Sequence, residues 1–229
     1  MLLGEAKDMV RAGIGHDDLD SSMLNFFLAS GRRQVEKQGN FYWMEASATF
    51  NLVVDQGDYT VTASPVSVTN LKDIHILMAK DPLDTVFYEV PYGVREQLDR
   101  VYATSEDGAP EVYTLSGTDV ISIFPEDPDQ AYNMKMIYFG WTSNPASNLS
   151  TDELLTRFPE ALIYASIAYG LNWLTHNTEV SQPWDMQFKM EVANIKRHDH
   201  RRKQLDQLVL RPARGPYQTR PNTKWRTWM

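Results

Sequence analysis

Thr49-Phe50-Asn51-Leu52-Val53-Val54, then Asp55-Gln56-Gly57-Asp58, then Tyr59-Thr60-Val61-Thr62 is the stretch at which the chain changes texture. β-branched and aromatic residues gather on both sides of a turn-forming tetrapeptide, which predicts two strands joined as a hairpin. Further strands are expected at residues 74–79, 85–90, 112–115, 120–124 and 134–139. Turn chemistry separates them: Asp81-Pro82, Asp107-Gly108, Ser116-Gly117 and the Pro125 to Pro128 segment. Residues 93–102 read as a short helix or a structured loop. The middle third is therefore a small, mostly antiparallel β unit.

On either side the periodicity is helical. Leu19, Met23, Phe26, Phe27 and Ser30 share one face of a helix expected over residues 19–38, with N-cap candidates from Asp17 to Ser22 and Gly39-Asn40 as its stop. A shorter helix over residues 2–11 precedes it and ends near Gly13 and Gly15. Beyond the β unit, Ser150-Thr151-Asp152-Glu153 fits a capping box, with Ser150 and Glu153 satisfying first-turn amides. Pro159 can begin the next helix, whose apolar face is Phe158, Leu162, Ala165, Tyr169 and Trp173. Residues 181–185 open another, with Trp184, Phe188, Val192 and Ile195 on one stripe.

That stripe stops at Lys196. Residues 196–204 are too polar to pack on the chain's own core, and Leu205, Leu208 and Val209 then resume a helical pattern, so a helix is expected to project from the body. Pro212, Gly215, Pro216 and Pro221 cannot sustain a helix and favour extended backbone. Tyr217, Trp225 and Trp228 lie among Arg211, Arg214, Arg220, Lys224 and Arg226, a mixture suited to docking on a partner. The expected fold is α+β: a bundle from the N- and C-terminal helices (residues 1–46 and 142–210), an inserted mostly antiparallel β domain (47–141) and an extended C-terminal arm (211–229) that orders on a partner.

A chain of 229 residues buries a sufficient core without staples. It contains no cysteine, which excludes disulfides, thiol nucleophiles and thiolate metal sites. No run approaches the roughly 18 apolar residues of a membrane span, so no membrane partner is expected. The formal net charge is −8, unevenly spread. From Lys196 onward ten Lys or Arg face only Asp199 and Asp206, about +8, whereas residues 1–195 hold 12 basic and 28 acidic residues, about −16. An acidic body with a basic end points to an acidic partner surface, or to nucleic acid, for that end.

The chain contains no phosphate-binding, dinucleotide-binding, nucleophile-elbow or zinc-protease motif. Two histidines at i, i+2, such as His198 and His200, point about 200° apart on a helix and cannot share one metal ion. The acids at 17–20 fall where a helix needs its cap, and Glu126, Asp127 and Asp129 sit in a proline-rich turn without calcium-loop spacing. Phe41-Tyr42-Trp43 reads as a set of core anchors. No catalytic residue, metal or cofactor is expected.

The order of these elements resembles a known family. A helix carrying Arg32-Arg33 ends in Phe41-Tyr42-Trp43, followed by the Thr49-Phe50 strand and Gly57-Asp58-Tyr59. Then come Phe124-Pro125-Glu126-Asp127-Pro128-Asp129, the strand from Met134 to Trp141, closing helices and a basic tail. This is similar to the head-to-tail adaptor (connector) proteins of short-tailed bacteriophages. The resemblance implies a structural virion protein of the neck, assembled in the host cytoplasm, forming a ring of twelve copies between the portal protein and the tail nozzle or hub and extending a channel for passing genomic DNA. It further implies that Arg201, Arg202, Lys203, Arg211, Arg214, Tyr217, Arg220, Lys224, Trp225, Arg226 and Trp228 contact the portal. The alternatives are another tail component, such as a terminator or nozzle subunit, and a nucleic-acid-binding module acting through the basic arm.

Overall fold

The structure, a computed structural model, describes residues 1–102, 107–117 and 119–209. Two helices open the chain. Helix α1 (Leu3–Ile14) ends on Gly15, whose φ of 73° is the left-handed conformation that a C-cap requires. Helix α2 (Ser21–Glu36) starts on Asp20, whose carboxylate accepts the Met23 amide at 2.7 Å.

After the β region come the short helix α4 (Glu153–Arg157), α5 (Pro159–Thr175) and α6 (Thr178–Val209). Helix α5 buries Ala161, Leu162, Ile163, Ala165, Ile167 and Leu171 around much of its circumference, as a helix surrounded by others must. It packs against α1, α2, α4 and α6. Close approach depends on small residues: Gly31 of α2 lies against Ser166, and Gly170 lies against Ile14 and Phe27.

The β unit contains two antiparallel sheets. In the four-stranded sheet the order is β1 (Glu45–Asn51), β7 (Asn133–Gly140), β3 (Leu71–Lys80) and β4 (Tyr88–Val90). The second sheet orders β2 (Asp58–Thr60), β6 (Val120–Phe124) and β5 (Val112–Ser116). Helix α3 (Arg95–Val101) lies between β4 and β5 in the chain and packs on β5. Phe50, Leu77 and Met134 of the first sheet share one buried cluster with Tyr59, Ile121 and Ile123 of the second.

Several sequence-based expectations need correction. The runs around Asp55–Asp58 do not form a hairpin, because β1 pairs with β7 and β2 pairs with β6. The reason is burial: Phe50, Leu52 and Tyr59 all enter the space between the sheets, which sets their strands on opposite sides of it. The crossover is tied by the Tyr59 hydroxyl, which donates to the Gln56 carbonyl at 2.6 Å and accepts the Val53 amide at 3.0 Å. Val53 and Val54, expected in a strand, lie half exposed in that turn. The strand expected over residues 85–90 is confined to 88–90, since the Asp81 carboxylate and carbonyl hold the Leu83 and Asp84 amides in a turn. Helix α4 is capped by Asp152, not Ser150: the Asp152 carboxylate accepts the Leu155 amide at 2.9 Å. The last helix begins at Thr178 and carries Pro183 inside it.

Two hydrophobic cores result, and β7 separates them. Tyr138 belongs to the cluster between the sheets, while the next residue, Phe139, belongs to the helical cluster with Phe41 and Met44. Successive strand residues face opposite ways, so one strand serves both cores.

The tight α2–α5 crossing gives a test. A Cβ at Gly31 would lie 2.2 Å from Ser166 Oγ and 2.8 Å from the Ser166 backbone nitrogen, so the helices must separate. Gly31→Ala is expected to lose about 1–3 kcal/mol, read as a lower urea midpoint with an unchanged slope.

Candidate functional site

Two groups of side chains are each assembled from distant parts of the chain, and the second carries the root of the basic C-terminal helix. The first is a polar clasp. On the buried face of α2, Phe27, Leu28, Gly31 and Val35 are joined by Arg32 and Glu36, both almost fully buried. The Arg32 guanidinium donates to Asn144 Oδ1 at 3.0 Å, to Thr142 Oγ1 at 3.1 Å and to Asp152 Oδ2 at 2.5 Å. Glu36 accepts the amide and the hydroxyl of Thr142. Burial pushes the Glu36 carboxyl up from its ordinary value, outweighing the Thr142 hydrogen bonds and the Arg32 and Arg33 charges. Beside the clasp, Arg33 lies 3.9 Å over the Trp141 ring, and Lys72 donates to the Glu36 and Gly39 carbonyls.

The second group is aromatic. Phe41 stacks on Trp43 with centroids 4.6 Å apart, Trp43 meets Phe158, and Phe158 meets His198 of α6 edge-on at 5.5 Å. Tyr42 stands at the centre of the polar edge. Its hydroxyl donates to Glu153 Oε1 at 2.6 Å, its backbone amide donates to Asp199 Oδ1 at 3.1 Å, and the Arg202 guanidinium lies 4.0 Å over its ring. The phenol is pushed up to about 12, first by burial and then by its bond to Glu153.

The expectation that residues 196–204 cannot pack on the body is therefore wrong for part of that segment. Asp199 is buried and His198 lies against rings. A polar side chain packs there because the body supplies a donor, the Tyr42 amide, and ring faces for the cations. Helix α6 stays attached at least to Arg202.

Of the residues expected to meet a partner, Arg202 is exposed and rests on Tyr42. The backbone of Arg201 and Lys203 lies in α6. Arg211, Arg214, Tyr217, Arg220, Lys224, Trp225, Arg226 and Trp228 lie outside the described residues. Among the described residues no acid and histidine group is arranged to hold a metal ion, and no helix is long and apolar enough to cross a membrane. Phe41 and Trp43 pack in or against the helical core, Asp20 caps α2, and Asp129 accepts the Tyr132 hydroxyl at 2.9 Å.

The family model for the SU10 adaptor protein matches residues 1–214, from the first helix through the β unit and past α6. The chain belongs to that family. No curated protein matches it. As a member of a phage head-to-tail adaptor family it is a structural component of the virion neck, associated with other head and tail components. The adaptor's last residues, 215–229, fall beyond the match.

The clasp escaped the sequence reading, although a signal was present: Arg32 and Glu36 are spaced i, i+4 on the apolar face of α2. Charges on a face that otherwise reads as core need partners. Which residues supply them, Thr142, Asn144 and Asp152, could not be read from spacing.

Two outcomes follow for the adaptor. Asp199→Ala leaves the half-buried Tyr42 amide without its α6 acceptor, which is expected to lower stability by about 1–3 kcal/mol and to speed amide exchange in residues 196–209. Because the Glu36 carboxyl titrates above its ordinary 4.5, the folded state holds that proton more tightly than the unfolded chain. The resulting stabilisation is fully present below pH 4.5 and is lost as pH rises through the raised value. Urea midpoints for Glu36→Gln should therefore gain on the wild type as pH increases through that window.

Proposed function

We propose that this adaptor forms a ring between the portal and the tail nozzle or hub, with the end of α6 and the arm reaching the portal. The observation that carries the reading is the family match over residues 1–214, combined with a helix α6 that runs to Val209 and leads into a basic, aromatic segment. On this reading residues 1–46 and 142–210 act as the helical domain that builds the ring, of twelve copies. Residues 47–141 face neighbouring copies or the tail, and residues 211–229 are the arm.

The mechanism is mechanical connection. The arm loses conformational entropy on docking, offset by buried rings, Arg contacts and the multivalency of a ring. Arg201, Arg202, Lys203, Arg211, Arg214, Tyr217, Arg220, Lys224, Trp225, Arg226 and Trp228 make the contact. The acidic body suits a channel wall, since DNA passes a negative surface without adhering.

Electron-microscope class averages of the portal protein from the same genome, mixed with the full chain or with a chain lacking residues 211–229, test this. The full chain should decorate the portal as a symmetric ring and the truncated one should not. Absence of decoration by both, together with salt-sensitive DNA binding by the full chain, would replace the portal reading with a nucleic-acid one.

A further inference from the structure

The edge of the four-stranded sheet farthest from α6 carries an apolar surface ringed by acids. Leu83 is 94% exposed, Val86 73% and Tyr92 59%, with Tyr88 beside them at 40%. Solitary exposed apolar residues are ordinary, but a run of them on and around one edge strand marks a surface that meets another group. β4 is that edge.

The face is rich in tyrosine and carboxylate. Tyr92 meets Tyr113 edge-on at 5.6 Å. The Tyr102 hydroxyl donates to Glu111 at 2.7 Å, and Gln130 ties the neighbouring turn to Asp81 at 2.7 Å. Asp84 and Glu89 stand exposed in the same segment as Tyr88, and burial followed by the charges of nearby groups, Asp81, Asp129 and Glu111 among them, pushes the Tyr88 phenol up to about 12. Of the cations nearby, Lys80 is engaged over Phe87, and Arg95 is turned toward Ser116 and Ser122.

We infer that this tyrosine-lined acidic face, on β4 and the segments flanking it, is a docking surface for residues 211–229 of the same chain before the adaptor meets its partners. The complementarity is specific in kind. Those residues contain Arg211, Arg214, Arg220, Lys224 and Arg226 and no acid, with Pro212, Pro216, Pro221, Tyr217, Trp225 and Trp228 between them. Proline-bearing extended segments dock on aromatic grooves with little further loss of entropy. Guanidiniums stack on tyrosine faces and pair with the carboxylates around them.

The distances allow it. Helix α6 passes Tyr42, just ahead of β1 at the opposite edge of the same sheet. From there the path to β4 is about 10 Å of helix from Arg202 to Val209, about 27 Å along a strand the length of β7 and about 14 Å across three strand spacings. Residues 210–229 in extended form reach about 60 Å. The inference goes beyond the adaptor reading and concerns the free chain alone: a held arm would be released when a better partner competes for it.

Hydrogen–deuterium exchange on the purified full chain, without portal, tests the inference. Amides of residues 84–94 should exchange about tenfold more slowly in the wild type than in Trp225→Ala/Trp228→Ala, and the difference should shrink as salt is raised. Leu83→Ser/Glu89→Gln alters the other side of the contact at exposed positions and should remove the same protection with the thermal midpoint unchanged. Equal exchange in the wild type and both variants would overturn the inference. Protection that disappears on dilution would overturn the same-chain occupant, because the arm would then come from a second copy. Neither outcome bears on portal binding, which is measured separately.

Discussion

The Arg32 guanidinium is the constraint on which the remainder of the structure depends. It is buried within α2 and donates to Asp152, Thr142 and Asn144, so one side chain ties an N-terminal helix to the exit of the β unit and the entry of α4. A buried cation left without its acceptors would be severely destabilising, about 3–5 kcal/mol when one partner of such a pair is removed. The pairing is therefore a condition of closure: the helices at the two ends of the chain can assemble only if residues 142–152 return to α2 in register. Glu36, one turn further on, holds Thr142 from the other side. Because Asp152 also caps α4, the start of that helix and the closing of the bundle use the same carboxylate.

From that junction the two cores follow. Strand β7 enters from the β unit with Tyr138 facing the space between the sheets and delivers Phe139 to the helical core. Trp141, the next bulky residue, holds the Arg33 guanidinium and the Lys72 ammonium over its ring. On the other flank, Phe41 and Trp43 pass the same aromatic packing to Phe158 and, through it, to His198. The chain's basic end thus begins from a fixed point, set by Asp199 and Arg202 against Tyr42, and not at the end of the apolar stripe at Ile195.

Particular residues show how much of this could be read in advance. The apolar stripe Phe188, Val192 and Ile195 is buried as its spacing requires, and Pro159 opens α5 because its missing amide and fixed φ suit a first helical position. The five strands expected after the first two are all present, the one at 85–90 shortened. Pairing was another matter. Asp55-Gln56-Gly57-Asp58 has the composition of a hairpin turn, yet the strands on either side separate into different sheets because Phe50, Leu52 and Tyr59 are all buried between them. At 150–153 a helix start is where the pattern placed it, but no Ser150–Glu153 box caps it: Asp152, which also meets Arg32, is the cap, and Glu153 accepts the Tyr42 hydroxyl and pairs with Arg157.

By itself the sequence determined the class of fold, the number and approximate position of its elements, the division into an acidic body and a basic end, and, through their order, the family. These are local or additive properties, set by periodicity, turn chemistry and charge within a few residues of each position. Only the tertiary structure decided which strands pair, which acid caps α4, where Arg32 finds its acceptors and how far α6 stays on the body. Each of those depends on groups far apart in the chain meeting at hydrogen-bonding distance: residues 32 and 152, or 42 and 199, lie more than a hundred positions apart. Their partners are selected by the packing of the whole molecule, which no single stretch of sequence contains.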